Sequence, residues 1–469
     1  MASRVSYSKQ RDFLLNNDNL YQNVIYLAWP VVIQSLLQVS IGTIDMKMVG
    51  SLGVDAISAV GSGRNVVMII MVLVIGISTG TTAMVARSIG KGDREGASIS
   101  AGQSFFLCLL AAAFMVPLGL LTNTKVLQLL GVGENVLSLA QGYMTVFFIT
   151  IPLFLLNFIA RAIFQGAGDT KTPLLIDILM NIVNVVFNYV FIFGFWIFPE
   201  LGVMGAAIGT AISRFVGASI GWGALLSGRF VLHVNLSHMI KPKWEQSKQI
   251  IKIGIPAALQ GLTRNASTFF IFAILARTMM AEAAVPAFVI GTNLNQYALM
   301  PGLAIGTAAA TLSGMNIGAK KLERAEKSGK VCTILGAILM ASFSALAVVF
   351  SEPLIKFFLD QPNGDVLRIG KAYLFIIALS EPFHGMTIIY SRTMQGAGYT
   401  KYPFVITVIC WLFIKVTLSY LLALVFNLQS TGVWIAISVS TIISGLMTYY
   451  LFKRGTWKYV KLESQKQGA

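Results

Sequence analysis

The stretch Gln165-Gly-Ala-Gly-Asp-Thr-Lys-Thr-Pro173 returns 230 positions later as Gln395-Gly-Ala-Gly-Tyr-Thr-Lys-Tyr-Pro403. Because three such matches occur in the same order at nearly one offset, the sequence predicts two similar halves. The other two lie at offsets of 228 and 226: Ser88-Ile-Gly with Asn316-Ile-Gly, and Pro30 and Gln34 with Pro256 and Gln260.

The repeated stretch itself is predicted to be a tight turn between helices. Glycine tolerates a positive φ, which allows the chain to reverse within a few residues. No strand pattern precedes either copy, so the stretch does not fit a nucleotide-binding loop. The sequence also lacks the Gly-x-x-x-x-Gly-Lys-Ser/Thr motif that an ATP-driven pump would need.

The segments between the turns are long and apolar. Of the 469 residues, 56% are hydrophobic and 12% are charged, whereas soluble domains are about 25% charged. A helix needs ~20 mostly apolar residues to cross a bilayer, and in lipid such a segment must satisfy its backbone as a helix. Twelve segments meet this condition: 23–49, 57–86, 97–122, 137–164, 173–196, 203–227, 249–276, 284–316, 328–350, 370–394, 403–426 and 431–452.

The predicted fold is therefore an all-α integral membrane protein with twelve transmembrane helices. Six helices in each half give both halves the same orientation, so they form parallel repeats around a central cleft. The predicted divisions are a cytoplasmic N-terminal segment (1–22), an N-lobe (23–227), a cytoplasmic linker (228–248), a C-lobe (249–452) and a cytoplasmic tail (453–469).

The net charge of +16 follows the predicted topology. The termini and the loops on their side of the membrane carry 25 Lys and Arg residues, whereas the opposite loops carry 5. Basic residues accumulate on the cytoplasmic side, so both termini are predicted to be cytoplasmic in a multi-pass protein of the cell (inner) membrane. The charge is expected to attract anionic lipids and not nucleic acid.

Other classes of protein fit the sequence poorly. Residues 1–20 are polar, so no cleavable signal peptide is expected. The three cysteines lie in apolar segments and are expected to be buried. With three histidines and no cluster of nucleophile, base and metal ligands, we expect no enzyme, no metal and no cofactor besides a coupling ion. A channel filter is not visible either.

The chain resembles the MATE (multidrug and toxic compound extrusion) transporters of the prokaryotic type. The resemblance spans residues 20–452 and implies a monomer that exports small amphipathic or cationic drugs in antiport with protons or sodium, by rocking of its two lobes. The residues that carry it are Pro30, Asp45, Gly50, Gly-Ala-Gly-Asp-Thr-Lys-Thr-Pro at 166–173, Ile-Phe-Gly at 192–194, Gly202-Val-Met-Gly-Ala-Ala-Ile-Gly-Thr210 and Gly396-Ala-Gly.

Asp45 is the principal candidate for ion coupling. It lies inside the first span, where an ionisable residue is costly and indicates function. Burial favours the protonated form of a carboxyl group, so a change in hydration would bind or release a proton. Lys47 lies two positions away on a different helix face and is a poor partner. Asp45 also matches the first-helix acid of prokaryotic MATE proteins.

The fifth span carries a polar stripe of Asp177, Asn181, Asn184 and Asn188 at spacings of four, three and four. These spacings place the four side chains on one helix face, as a hydrated chamber opposite Asp45 or as contacts between helices. In the resemblance, Asn184 matches a family asparagine and Asn188 replaces a family acid, which favours protons over sodium. Asp177 is a candidate carboxylate at another depth, and Thr210 a candidate hydroxyl.

The tenth span contains Glu381 and His384, three positions apart on one face and separated by Pro382. They are a candidate proton relay or a structural ion pair with a base such as Lys415 or Arg264. Sodium-coupled relatives that use the C-terminal half have acids in the seventh and tenth helices, but the seventh helix here has none. Other candidates for the polar chamber and substrate binding are Gln34, Gln38, Gln260, Asn293, Asn295 and Gln296.

The predicted function is cation-coupled export of amphipathic or cationic compounds, with protons favoured over sodium. The alternative is a flippase for lipid-linked precursors, because fold does not determine substrate. Such a flippase needs a cationic cleft. The candidate bases for such a cleft are Lys47, Arg64, Arg214 and Arg264.

Overall fold

A computed structural model describes residues 2–129, 131–195, 197–228, 230–358 and 364–460, without the side chains of residues 2–8, 64–66, 68 and 69. In these ranges the chain is helical apart from turns and one isolated bridge between Phe195 and Phe198. The α-helices are α1 (Ala2–Asn16), α2 (Leu20–Gly50), α3 (Val54–Lys91), α4 (Arg94–Leu129), α5 (Glu134–Gly166), α6 (Lys171–Phe193), α7 (Gly202–Ser227), α8 (Leu236–Ile240), α9 (Trp244–Leu275), α10 (Ala281–Gly318), α11 (Leu322–Val349), α12 (Ser351–Phe358), α13 (Gly364–Gly396), α14 (Lys401–Thr407), α15 (Lys415–Tyr420) and α16 (Gln429–Lys453).

Twelve long helical segments correspond to the twelve predicted spans. In the described ranges, eleven of them are long and apolar enough to cross a membrane. The twelfth, α9, spans Trp244–Leu275 and begins with a charged turn that contains Glu245 and Lys248. The prediction of an all-α membrane protein with six helices in each half is confirmed.

The repeated turns end α5 and α13 in the same way. Gly168 and Gly398 have φ values of +84° and +85°, in the left-handed region that favours glycine. The following amides donate back to the helix, from Asp169 to the Phe164 carbonyl at 2.9 Å and from Tyr399 to the Met394 carbonyl at 2.9 Å. These 6→1 bonds form the Schellman motif, so the predicted role of the Gly-Ala-Gly segments as turns is confirmed.

The eleventh span departs from a regular α-helix. Between α14 and α15 the chain is π-helical over Val408–Ile414, and after α15 it is π-helical again over Leu421–Val425. Each π-turn holds an extra residue and changes the direction of the side chains that follow. Trp411 and Lys415 therefore occupy positions that a period of 3.6 residues does not predict.

The described residues form two compact units: 2–16 with 29–255, and 17–28 with 256–460. In the second unit an aromatic core surrounds the fully buried Trp434, with the Phe288 ring stacked at 5.6 Å and the Tyr373 ring edge-on at 4.9 Å between centroids. The three cysteines are buried, as predicted.

The linker after α7 packs on α4 of the first unit. The buried Gln103 side chain donates to the carbonyls of His238 and Lys241 at 2.8 and 2.9 Å, and its oxygen accepts from the Lys243 amide at 2.8 Å. A Cβ at Gly102 would lie 2.5 Å from the His238 carbonyl oxygen, so this close approach requires glycine. Burial, and secondarily the charge of Lys243, lowers the pKa of His238.

Candidate cation-coupling site and a cationic cluster

Four of the predicted coupling residues form one hydrogen-bonded chain in the first unit. Asn188 Nδ2 donates to Asp45 Oδ1 at 2.8 Å and to Asn184 Oδ1 at 3.3 Å. Asn184 Nδ2 in turn donates to Thr210 Oγ1 at 3.2 Å. The network therefore joins α2, α6 and α7, with one carboxyl group at its end.

The local sequence accounts for this arrangement. Asn184 and Asn188 are one helical turn apart on α6 and therefore face the same side. A Cβ at Gly209 would lie 2.2 Å from Asn188 Oδ1, so glycine at this position of α7 makes room for the amide. Both asparagines are buried, and Asn188 Oδ1 has no hydrogen-bond donor in the described part of the chain.

Arg214 is a member of this site that the sequence placed only among possible lining bases. It lies one turn after Thr210 on α7, and its charge interacts favourably with Asp45. Its guanidinium also lies over the rings of Phe154 and Phe147, at 4.6 and 5.6 Å from their centroids. The i, i+4 spacing from Thr210 was the available signal for this position.

The polar stripe of α6 divides into two parts. Asp177 Oδ1 forms an ion pair with Arg161 of α5 at 2.7 Å, outside the Asp45 network. Arg161 also lies over the Phe158 ring at 5.3 Å. Asn181, between the two parts, is half-buried.

The remaining polar candidates have varied surroundings. Gln34 is buried with no hydrogen-bond partner for either amide atom in the described ranges, whereas Gln38 is exposed. Gln260 is buried and accepts from Gln395 Nε2 of the repeated turn at 2.9 Å. In α10 the exposed Asn293 donates to the Val289 carbonyl of its own helix, while Asn295 is half-buried and Gln296 is exposed.

Glu381 and His384 lie together on α13 in the second unit. His384 Nδ1 is 3.6 Å from Glu381 Oε1, and Glu381 is only 1% exposed. Within the residues described, neither Lys415 nor Arg264 forms an ion pair with Glu381, so histidine is the partner of this acid. The second carboxylate oxygen, Oε2, has no hydrogen-bond partner there.

Two bases surround the neighbouring Trp411 instead. Lys415 Nζ lies 4.4 Å and Arg264 Cζ lies 5.5 Å from the centroid of the Trp411 ring, and the His384 ring lies 5.9 Å from it. A cation–π contact contributes about 0.5–2 kcal/mol, whereas burying an unpaired ion costs several kcal/mol. The aromatic contacts therefore do not offset the burial of Lys415, which is 5% exposed. We call Arg264, Trp411 and Lys415 the cationic cluster.

Comparison with known proteins agrees with the fold. The MatE family model matches residues 30–190 and 256–421, in both halves of the chain. The chain belongs to the MatE family. As a MATE transporter it is a multi-pass membrane protein, as the sequence predicted.

Individual relatives cover nearly the whole chain. A probable multidrug resistance protein NorM of Thermotoga maritima is 28% identical over 455 residues, which are 96% of this chain and 97% of the relative. The FAD transporter of Shewanella oneidensis is 26% identical over 414 residues, which are 87% of this chain and 89% of that transporter. A MOP superfamily transporter of Pyrococcus furiosus has the same fold, with a TM-score of 0.88 at 22% identity and coverage of 97% and 99%.

Proposed function

We propose that this MATE transporter exports small amphipathic or cationic organic compounds in exchange for protons, and that Asp45 carries the proton. The observation that carries this proposal is the chain of hydrogen bonds from Asp45 through Asn188 and Asn184 to Thr210, which holds one carboxyl group. The names of relatives such as the NorM protein of Thermotoga maritima support drug export.

The chemistry of the site favours a proton over a sodium ion. A hard metal cation needs several oxygen ligands, but Asn188 directs its Nδ2 group and not its oxygen toward Asp45. The nearby Arg214 charge opposes a second cation at the same place. A proton needs only one oxygen of Asp45. Protonation would neutralise Asp45 and weaken its attraction to Arg214.

Exchange then depends on the hydration of Asp45. In the proposed cycle the carboxyl group binds a proton from the outside and loses it where substrate or water stabilises the charged form. The parallel repeat supports alternation by rocking of the two halves. Substrate export would follow because a cationic compound and a proton compete for one negative charge.

The proposal includes the placement of the protein in the cell. We place the transporter in the cytoplasmic (inner) membrane as a monomer with both termini in the cytoplasm, because its basic loops lie on the side of the termini. Its partners would be substrate and surrounding lipids.

A flippase for lipid-linked precursors is less well supported. Of the bases that would line its cleft, Arg214 interacts with Asp45 and Lys47 is exposed, which leaves Arg264 as the one described base without a counter-charge in the described ranges. The Arg64 side chain lies outside the described residues. The relatives named above are a probable drug-resistance protein and a FAD transporter.

The test is transport of ethidium by the purified protein in proteoliposomes, under a proton gradient or a sodium gradient applied separately. A pH gradient should drive transport in choline chloride as well as in sodium chloride. Asp45→Asn should abolish the gradient-driven part, whereas Asp55→Asn, which changes an exposed acid of α3, should retain it. Transport that follows a sodium gradient at constant pH and ignores the pH gradient would refute the proposal.

A further inference from the structure

The cationic cluster of the second unit has no counter-charge in the parts of the chain that the structure describes. Lys415 is 5% exposed, Arg264 is half-buried, and neither of them forms an ion pair there. The neighbouring base Arg392 adds to the positive charge that acts on Arg264. Buried lysine and arginine are ordinarily paired. Two unpaired bases at one tryptophan therefore indicate a missing anionic partner.

Further polar groups at the cluster lack partners. Arg264 Nε is buried without a hydrogen-bond acceptor in the described ranges. Ser419, fully buried and one turn after Lys415 on the same helix face, has an Oγ atom without a partner there. Buried polar groups are nearly always hydrogen-bonded unless a ligand or water completes them. These groups could donate to one bound anion.

The backbone holds the cluster at a fixed place. Ser267 of α9 is fully buried, and its Oγ donates to the Trp411 carbonyl at 2.6 Å. This bond ties α9, which carries Arg264, to the π-helical segment that carries Trp411. Arg264 and Lys415 both lie roughly midway along their spans, where water is scarce. Unpaired charge at this depth indicates function.

We propose that Arg264, Lys415 and Ser419 bind the anionic group of an organic anion whose apolar body lies against Trp411. The anionic group is a carboxylate, sulfonate or phosphate, because a guanidinium and an ammonium recognise its oxygens through charge-assisted hydrogen bonds. The body is expected to be apolar because it would lie against the Trp411 ring at membrane depth. Only the assignment of this ligand as transported substrate rests on the proposed function.

Glu381 is not the missing anionic partner of the cationic cluster. Its Oε1 atom lies 3.6 Å from Nδ1 of His384 on the same helix, and within the described residues it forms no ion pair with Lys415 or Arg264. The His384 ring lies 5.9 Å from the Trp411 ring between centroids. Within the described residues, Glu381 is therefore not an ion-pair partner of either base of the cluster.

The experiment measures binding to the purified full-length protein by calorimetry, in nanodiscs of phosphatidylcholine. The probes are naphthalene-2-carboxylate, naphthalene-2-sulfonate and 2-naphthyl phosphate, each compared with neutral naphthalene-2-carboxamide. At least one anion should bind about tenfold more tightly than the amide, as expected for a hydrogen bond to a charged group. Lys415→Met should remove this preference for the anion, whereas Lys415→Arg, which keeps the positive charge, should retain it. Lys401→Met, an exposed lysine of the same segment, should leave the preference unchanged.

Nanodiscs that contain phosphatidylglycerol distinguish a lipid headgroup from a soluble anion. Competition by this lipid that Lys415→Met abolishes would assign the site to a lipid headgroup, and lack of competition would assign it to a soluble anion. Arg264→Gln gives a second test if Lys415→Met does not fold. Equal binding of the amide and all three anions, or a preference that persists in both variants, would overturn the proposal. Binding needs no ion gradient, so this result is independent of the coupling experiment.

Discussion

The two halves of the transporter share a frame but place opposite chemistry in it. At the offsets of the repeat, Asp45 corresponds to Ile271 and Asn188 to Leu418. Ile271 is fully buried in an apolar core, whereas Asp45 ends a polar network. Conversely, Lys415 of the cationic cluster corresponds to Val185. The difference teaches that the two halves keep the same helices and turns, while single side chains place a hydrogen-bonded acid, Asp45, in one half and the cationic cluster in the other.

The same contrast holds for the helix that follows Pro30 or Pro256. Gln260 of the second half bonds to Gln395, but its counterpart Gln34 is buried with both amide atoms unpaired in the described ranges. Arg264 corresponds to the exposed Gln38. Glutamines at equivalent positions of the repeat therefore differ in whether their amide atoms form hydrogen bonds.

The largest expected effect comes from giving the first half the residue of the second. Asn188→Leu removes the donor that Asp45 Oδ1 accepts from, and the proton-driven rate of ethidium transport should fall by at least about tenfold, since a hydrogen bond to a charged group contributes about 1.5–3 kcal/mol. Initial rates in proteoliposomes measure this. Leu418→Ala is the matched control in the second half and should keep the pH dependence. An unchanged rate in Asn188→Leu would mean that proton coupling does not need the hydrogen bond from Asn188 to Asp45.

Adding a carboxylate to the first half should change its ion preference. Asn188→Asp places a second acid beside Asp45 and supplies oxygen where the amide nitrogen lies now. Sodium chloride, compared with choline chloride, should then raise the Tm of the purified protein by about 3 °C through ligand linkage. The wild type should show no such difference. Equal sodium effects on both proteins would contradict the account of the site.

The glutamine pair gives a comparison in stability. Gln260→Leu leaves Gln395 buried without its partner and should lower the free energy of unfolding by about 1–3 kcal/mol. Gln34→Leu removes an amide that is already unpaired and should be neutral or stabilising. Thermal unfolding in detergent measures both variants. Equal destabilisation by the two substitutions would mean that Gln34 has a role in the folded protein.

The smallest expected effect concerns the stability of the fold in acid, which does not involve the coupling site. The pKa of His238 is lowered in the linker, so the unfolded chain binds the proton more tightly than the folded protein. The stability from His238 is present above its unfolded pKa, near pH 6.5, and is lost as pH falls through the folded value. The Tm should therefore fall slightly more between pH 7.5 and 5.5 in the wild type than in His238→Gln. Identical falls would show that this histidine does not contribute.

Much of the fold follows from the sequence, because apolar length and the Gly-Ala-Gly turns depend on local physics. The spacing of Asn184 and Asn188 likewise predicts a shared face, and the structure places both in one network with Asp45 and Thr210. The separate pairing of Asp177 with Arg161 could not be predicted, because it depends on how α5 and α6 are rotated against each other.

The cationic cluster shows a second limit of sequence reasoning. Trp411 lies in a π-helical stretch, which shifts the following residues away from the faces that a regular α-helix would give them. An ion pair of Glu381 with Lys415 or Arg264 was one of the two alternatives for the tenth span, yet Lys415 lies over the Trp411 ring. A local change in helical period thus decided which groups meet.

The central claim is that the first half alone carries the exchangeable proton, on Asp45. It is tested most directly by proton release when the purified protein binds ethidium in weakly buffered solution, followed with a pH-indicator dye alongside ethidium fluorescence. The wild type and Lys415→Met should release protons on binding, and Asp45→Asn should bind ethidium without release. Proton release by Asp45→Asn equal to that of the wild type would contradict the account.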